Sequence, residues 1–188
     1  MKKLTPVGRI ARNAMMLALL CVIGMFSIPM GENVKVSLQL LMVFLIALTA
    51  EAFYDAMIVT SLYLVLGLFL PIYAGFNAGI SPTFGYVIAF IVASPAIYFM
   101  NKIPKLHPLL RMSLACVVGL LIVYLIGTVF MMAYLSRWDL GWVLTISVVP
   151  YLPFDAIKIV LAVLVTYLLP RSMGGAKPSN EKKDSSEE

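Results

Sequence analysis

Val149-Pro150-Tyr151-Leu152-Pro153-Phe154-Asp155-Ala156-Ile157-Lys158 is the stretch on which the reading of this chain turns. Two prolines interrupt an apolar run that extends from Leu140 to Leu169, and an acid and a base follow at once. Proline lacks an N–H and clashes with the preceding turn, so the helix is expected to break here. Outward from this point the chain is mostly apolar. Of 188 residues 62% are hydrophobic and 12% charged, with a mean hydropathy of +0.98. That composition predicts a multi-spanning membrane protein of one domain, with no soluble stretch long enough for a second core. An acid and a base inside such a chain are costly, and costly intramembrane charges usually mark a site.

The apolar runs predict an all-α fold with six transmembrane helices. The first runs from Ile10 to Pro29 after a basic arm, 1–9, and a polar loop covers Met30–Val36. A short second span, Leu38 to Ala50, ends at Glu51-Ala-Phe-Tyr-Asp55. The third covers Ala56 to Leu70 and stops at Pro71. Gly75, Gly79 and Pro82 make 71–83 a turn-rich connection. The fourth span is Phe84 to Met100, and the fifth, after a basic hinge at 101–108, is Leu109 to Tyr134. The last run, Leu140 to Leu169, is broken at Pro150 and Pro153, with its second helix starting near Phe154. Trp138 and Trp142 suit a headgroup-level belt. Residues 1–170 thus form one six-helix membrane domain, and the polar 171–188 are expected to be a disordered cytoplasmic tail.

An even number of spans puts both termini on one side. Lys2, Lys3, Arg9 and Arg12, then Lys102, Lys105 and Arg111, then Arg171, Lys177, Lys182 and Lys183 share that side. Only Lys35 and Arg137 fall on the other. Both termini are therefore expected in the cytoplasm of a cell-membrane protein. At about 1.5 Å per residue from Arg171, Lys158 lies about 20 Å and Asp155 about 24 Å above the inner boundary of a core about 30 Å thick. Both fall in the outer half. The external loops bring Glu32–Gln39 and Asn77–Thr83 to the same face, which makes an outward-facing pocket for something small.

Three residues apart on a helix, Asp155 and Lys158 share a face and can pair. They read either as ligand-binding residues or as a structural ion pair that pins the broken helix, and their depth favours the first. In the loop 74–86, Asn77, Ser81 and Thr83 offer hydrogen bonds beside glycines that permit close approach. Taken alone, that loop reads more readily as an ordinary external turn than as a binding element. Ala11, Ala14 and Ala18 form a small-residue stripe that suits close helix packing. Glu51 and Asp55 bracket a tight inner turn and read as solvated. Cys21 and Cys116 lie in apolar runs without partners at metal-ligand spacing, and no metal site is expected.

Other functions are disfavoured. The chain has no G-x-x-x-x-G-K-[ST], so it does not bind ATP through a P-loop. Its one histidine, His107, sits in the basic hinge and not in a span, which removes the usual general base. The basic charge is placed as membrane anchors are, not as a nucleic-acid surface. Neither an enzyme nor a cofactor-bearing chain is expected.

Three segments carry a family resemblance. Val34-Lys-Val-Ser-Leu-Gln39 is similar to P-V-P-I-T-L-Q; Gly67-Leu-Phe-Leu-Pro71 with Ala74-Gly-Phe76 and Pro82-Thr-Phe-Gly-Tyr86 is similar to G-x-x-G-L-P-V-F-A-G-F…G-P-T-G-G-Y; and the opening stretch is similar to V-L-P-F-L-P-G-D-L-L-K. On these motifs the chain resembles the BioY family, the biotin-specific substrate-binding (S) components of energy-coupling-factor (ECF) vitamin transporters. The likeness spans most of residues 10–170. Phe84 and Phe154 stand where the family has glycines, as does Ser81, and Lys35 where it has proline.

The resemblance implies a substrate-binding membrane subunit, not an enzyme, that takes biotin from outside. It implies partners as well: a transmembrane T component, docked through Ala11, Ala14 and Ala18, and two ATPase subunits that hydrolyse the ATP. Asp155 is suited to accept from ureido N–H groups, and Lys158 to neutralise a carboxylate or donate to a carbonyl. Gln39 and Asn77 offer amide contacts, Thr83 a hydroxyl, and Tyr86 and Phe76 cover for an apolar ring. The alternatives are an S component for another small carboxylated molecule such as lipoate, a membrane enzyme with Asp155 and Lys158 as acid and base, or a membrane scaffold without a ligand.

Overall fold

Gln39–Thr49 is apolar on nearly every side, and a helix with no polar face can only sit in the middle of a bundle. The computed structural model, which describes residues 5–29, 35–104, 106–136 and 138–168, places it there. Seven helices occur among the described residues: α1 (Pro6–Met25), α2 (Gln39–Thr49), α3 (Phe53–Phe69), α4 (Phe84–Met100), α5 (Pro108–Tyr134), α6 (Leu140–Ser147) and α7 (Leu152–Leu168). Around α2 pack α7, α4, α1 and α3. Val43, Phe44 and Ala47 at its centre have no exposed surface. On the far side α4 lies along α5, its most extensive partner.

Local chemistry sets the ends of these helices. Thr5 caps α1 by accepting the Gly8 N–H at 3.2 Å, with Pro6 in the first turn. Asp139 caps α6 by accepting the Trp142 N–H at 3.1 Å. The bounds expected for the fourth span and those of α4 coincide. Two departures concern the N-terminal part. The helix begins at Pro6, inside the expected basic arm. It also stops at Met25, because Ser27–Pro29 (β1) pairs antiparallel with Lys35–Ser37 (β2), Ile28 opposite Val36. The expected polar loop is thus partly a short ribbon.

By length and composition α1 and α5 can each cross a membrane, and so can α6 with α7 taken as one bent span. That pair is bent by 52° at the break between Ser147 and Leu152. Pro150 lies in the break, and Pro153 is accommodated in the first turn of α7, which starts at Leu152, two residues before the start expected near Phe154. The apolar helices α2, α3 and α4 are shorter. Lys2, Lys3, Glu32, Lys105, Arg137 and the tail 171–188 lie outside the described residues.

A second correction concerns the turn between α2 and α3. Asp55 is buried, not solvated. Its two carboxylate oxygens accept from the Arg9 guanidinium, both at 2.9 Å, and also from Asn13 at 3.0 Å and the Ala52 N–H at 3.1 Å. Arg12 donates to the Thr49 carbonyl at 3.2 Å, and Asn101 to that of Leu48. Arg9, Arg12 and Arg111 therefore gather at one end, where α1, α3 and α5 begin and α2 and α4 stop.

Candidate functional site

At the other end α2, α4 and α7 all begin, and between their first turns and the loop 70–83 lies a cavity of about 290 Å³. That is at the small end of the range of about 300–1,000 Å³ usual for small-molecule sites. Helix N-termini carry partial positive charge, so three of them at one cavity favour an acceptor-rich ligand. Neither α2 nor α4 uses a side chain to cap its N-terminus.

The first turn of α7 delivers Asp155 and Lys158 to the cavity wall, both buried, at 3% and 6% exposure. Lys158 Nζ donates to Asp155 Oδ1 at 2.7 Å. The other carboxylate oxygen accepts from the Tyr124 hydroxyl of α5 at 2.5 Å. The pair is thus neutral as a unit, and each carboxylate oxygen already has a donor. Two of the three donor positions of Lys158 are left for other acceptors.

Gln39 lines the cavity at the start of α2, but its amide is engaged within the protein. It donates to the Tyr63 hydroxyl, which in turn donates to the Ile72 carbonyl at 2.9 Å. That chain fastens the loop to the core. Tyr73 in the same loop donates to the Leu64 carbonyl at 2.7 Å, and burial pushes its phenol up to about 12. Its ring fits because Gly67 has no side chain: a Cβ there would lie 2.0 Å from a ring carbon.

Asn77 and Thr83 line the mouth and are exposed. Asn77 Nδ2 donates to the Ala74 carbonyl at 2.8 Å, closing a turn in which Gly75 and Phe76 are both left-handed, with φ of 76° and 59°. Left-handed backbone is rare for a bulky residue. Here it turns Phe76 away from the cavity, edge-on to Phe26 and 62% exposed. Phe76 is therefore not brought together with the other expected residues. Tyr86 is, and it lies on the cavity wall against Gly127 of α5.

Tyr124, Ser147 and Tyr151 also line the cavity and were missed in the sequence. A signal for the first was present. Tyr124, Thr128 and Met131 follow helical spacing along the apolar α5, a polar-bearing stripe on one face. The alanine stripe lies elsewhere: Ala11, Ala14 and Ala18 are all exposed on the outer side of α1. Cys21 and Cys116 are free thiols.

An apolar helical bundle of membrane type, with a small polar cavity at the end where three helices begin, is the class that fold and site define. The chain belongs to the BioY family, whose pattern it matches over residues 1–175. It is 30% identical over 158 residues to the biotin transporter BioY of Thermotoga maritima, covering 82% of this chain and 90% of the relative. It also superposes on the 2.1 Å crystal structure of the S component for biotin from an ECF-type ABC transporter. The TM-score is 0.77 at 26% identity, over 92% of this chain and 97% of that one.

Proposed function

We propose that this chain is the substrate-binding membrane subunit of an ECF-type ABC transporter and captures biotin from outside the cell for ATP-driven uptake. The observation that carries the reading is the buried Asp155–Lys158 pair opening onto a cavity of about 290 Å³, in a chain of this family. A cyclic urea offers N–H donors to Asp155 and a carbonyl acceptor to the remaining donors at that end of the cavity. Asn77, Thr83 and the first turns of α2 and α4 then face the carboxylate at the mouth. Gln39 fixes the loop, and Tyr86 closes one wall.

The chain crosses the membrane six times, with α1 to α5 as five spans and α6 with α7 as the sixth, bent where Pro150 removes a backbone donor. Arg9, Arg12, Lys102 and Arg111 lie at the end away from the cavity. The positive-inside rule therefore puts that end and both termini in the cytoplasm, with the cavity facing out. The T component docks on the exposed stripe Ala11, Ala14 and Ala18, where small side chains let a partner helix approach closely. Two ATPase subunits supply the hydrolysis for which this chain carries no P-loop motif. An S component for another small carboxylated molecule, such as lipoate, is the second reading. It is favoured by Phe84, which adds apolar surface to the cavity wall.

Titrating the detergent-purified chain with biotin and with lipoate tests this. Sub-micromolar biotin binding that is lost in Asp155→Asn is the expected result. Binding of lipoate in preference to biotin would move the assignment to the second reading, and tight biotin binding untouched by Asp155→Asn would remove the site.

A further inference from the structure

Three buried hydroxyl oxygens lie on the cavity wall or just behind it, and the ion pair uses none of them. Tyr86 on α4 and Ser147 on α6 both line the cavity, and Thr128 of α5 lies near Tyr86. Yet Tyr86 Oη, Ser147 Oγ and Thr128 Oγ1 are each buried without a hydrogen-bond partner. A buried hydroxyl left unpaired costs about 1–3 kcal/mol. Three in one place, two of them on the cavity wall, are a polar surface waiting for a partner.

The geometry points to this trio as the hydrogen-bonding seat of the ligand's uncharged polar group: Tyr86 and Ser147 donate to the ureido carbonyl oxygen, with Thr128 behind them. This rests on the biotin reading above and decides which end of the ligand lies innermost. The charge balance argues for it. Asp155 and Lys158 neutralise each other, so the inner end of the cavity carries no net charge to offset a carboxylate stripped of water. A cyclic urea is neutral, and its carbonyl is flanked by N–H groups. A site with hydroxyl donors for the oxygen and a carboxylate acceptor, Asp155, for an N–H matches that pattern. The ligand's carboxylate keeps part of its hydration at the exposed mouth, beside Asn77 and Thr83.

Gly127 positions the seat. A Cβ there would lie 2.4 Å from Tyr86 Cδ1 and Cε1. A glycine therefore lets the ring pack directly against α5, next to Thr128 in sequence.

Biotin and its carboxamide, which alters only the tail, are titrated against wild type, Tyr86→Phe and Ser147→Ala in detergent, with thermal unfolding as a check on folding. Each variant is expected to weaken both ligands by the same factor, about ten-fold per lost hydrogen bond to a buried group. Biotin labelled with ¹³C at the ureido carbonyl gives a second readout that fold damage alone does not move. Its infrared stretch falls to lower frequency on binding wild type and returns toward the free value when Tyr86→Phe and Ser147→Ala are combined. If Tyr86→Phe misfolds, Ser147→Ala and Thr128→Val carry the test. Unchanged affinities, a loss confined to biotin and spared by the amide, or a carbonyl band that the variants do not shift would each overturn the seat. In the last case the hydroxyls hold only a water. Failure of wild type to bind biotin, by contrast, withdraws the reading on which the seat depends.

Discussion

Asp155 shows how little a residue's identity says until its partners are known. Its carboxylate is held by Lys158 on one oxygen and Tyr124 on the other, so removing one partner strands a buried charge. Lys158→Met is expected to lower stability by about 3–5 kcal/mol, whereas Asp155→Asn with Lys158→Met together should cost less than the lysine change alone. Equilibrium unfolding of the three variants in mixed micelles measures this, and additive losses would show that the pair is not coupled. The i,i+3 spacing made the pair itself legible in the sequence. Asp55 was not, because its main partner, Arg9, stands 46 positions away and nothing local distinguishes a solvated turn acid from a buried one. Phe76 was misplaced for the opposite reason. Its neighbours Gly75 and Asn77 are true loop signals, but a left-handed backbone at Phe76 itself turns the ring outward.

Among the elements, the long uninterrupted helices were the easiest to read. The bounds of α4 follow from Pro82 and Thr83 before it and Asn101 after it. The ribbon β1–β2 was hidden, since strands of three residues are too short to show alternation. How the helices approach one another was also invisible, because it depends on glycines that meet aromatic rings from a neighbour. Gly127 receives Tyr86, and Gly67 receives Tyr73. Gly127→Ala is expected to push the Tyr86 ring off α5 at a cost of about 1–3 kcal/mol and to weaken ligand binding more than the matching change at exposed Gly141. Thermal unfolding with and without ligand checks both parts. An unchanged ligand-induced rise in Tm would mean that Tyr86 does not need that contact.

For the whole molecule, polarity is divided between two ends. One end holds the Arg9–Asp55 cluster with Lys102 and Arg111; the other holds the cavity and its loop. Helix α1 joins them, fastened to Asp55 near its start and, at its finish, by the Gly75 N–H donating to the Met25 carbonyl at 3.0 Å. Its alanine face is left uncovered. Ala14→Leu is expected to leave ligand affinity in detergent unchanged and to abolish uptake by reconstituted complexes, which a transport assay beside a titration would separate. Loss of both would place Ala14 in the internal packing instead. The Asp155–Lys158 pair has one more consequence. Because the receptor carries its own counter-ion, paired at 2.7 Å on the cavity wall, the ligand's arrival at that pair exchanges hydrogen bonds without gathering or releasing dissolved ions. Capture should then be nearly indifferent to ionic strength. Such a protein would scavenge as well in brackish surroundings as in fresh ones, and titrations from dilute buffer to molar salt would reveal a steep dependence if charge steering were needed instead.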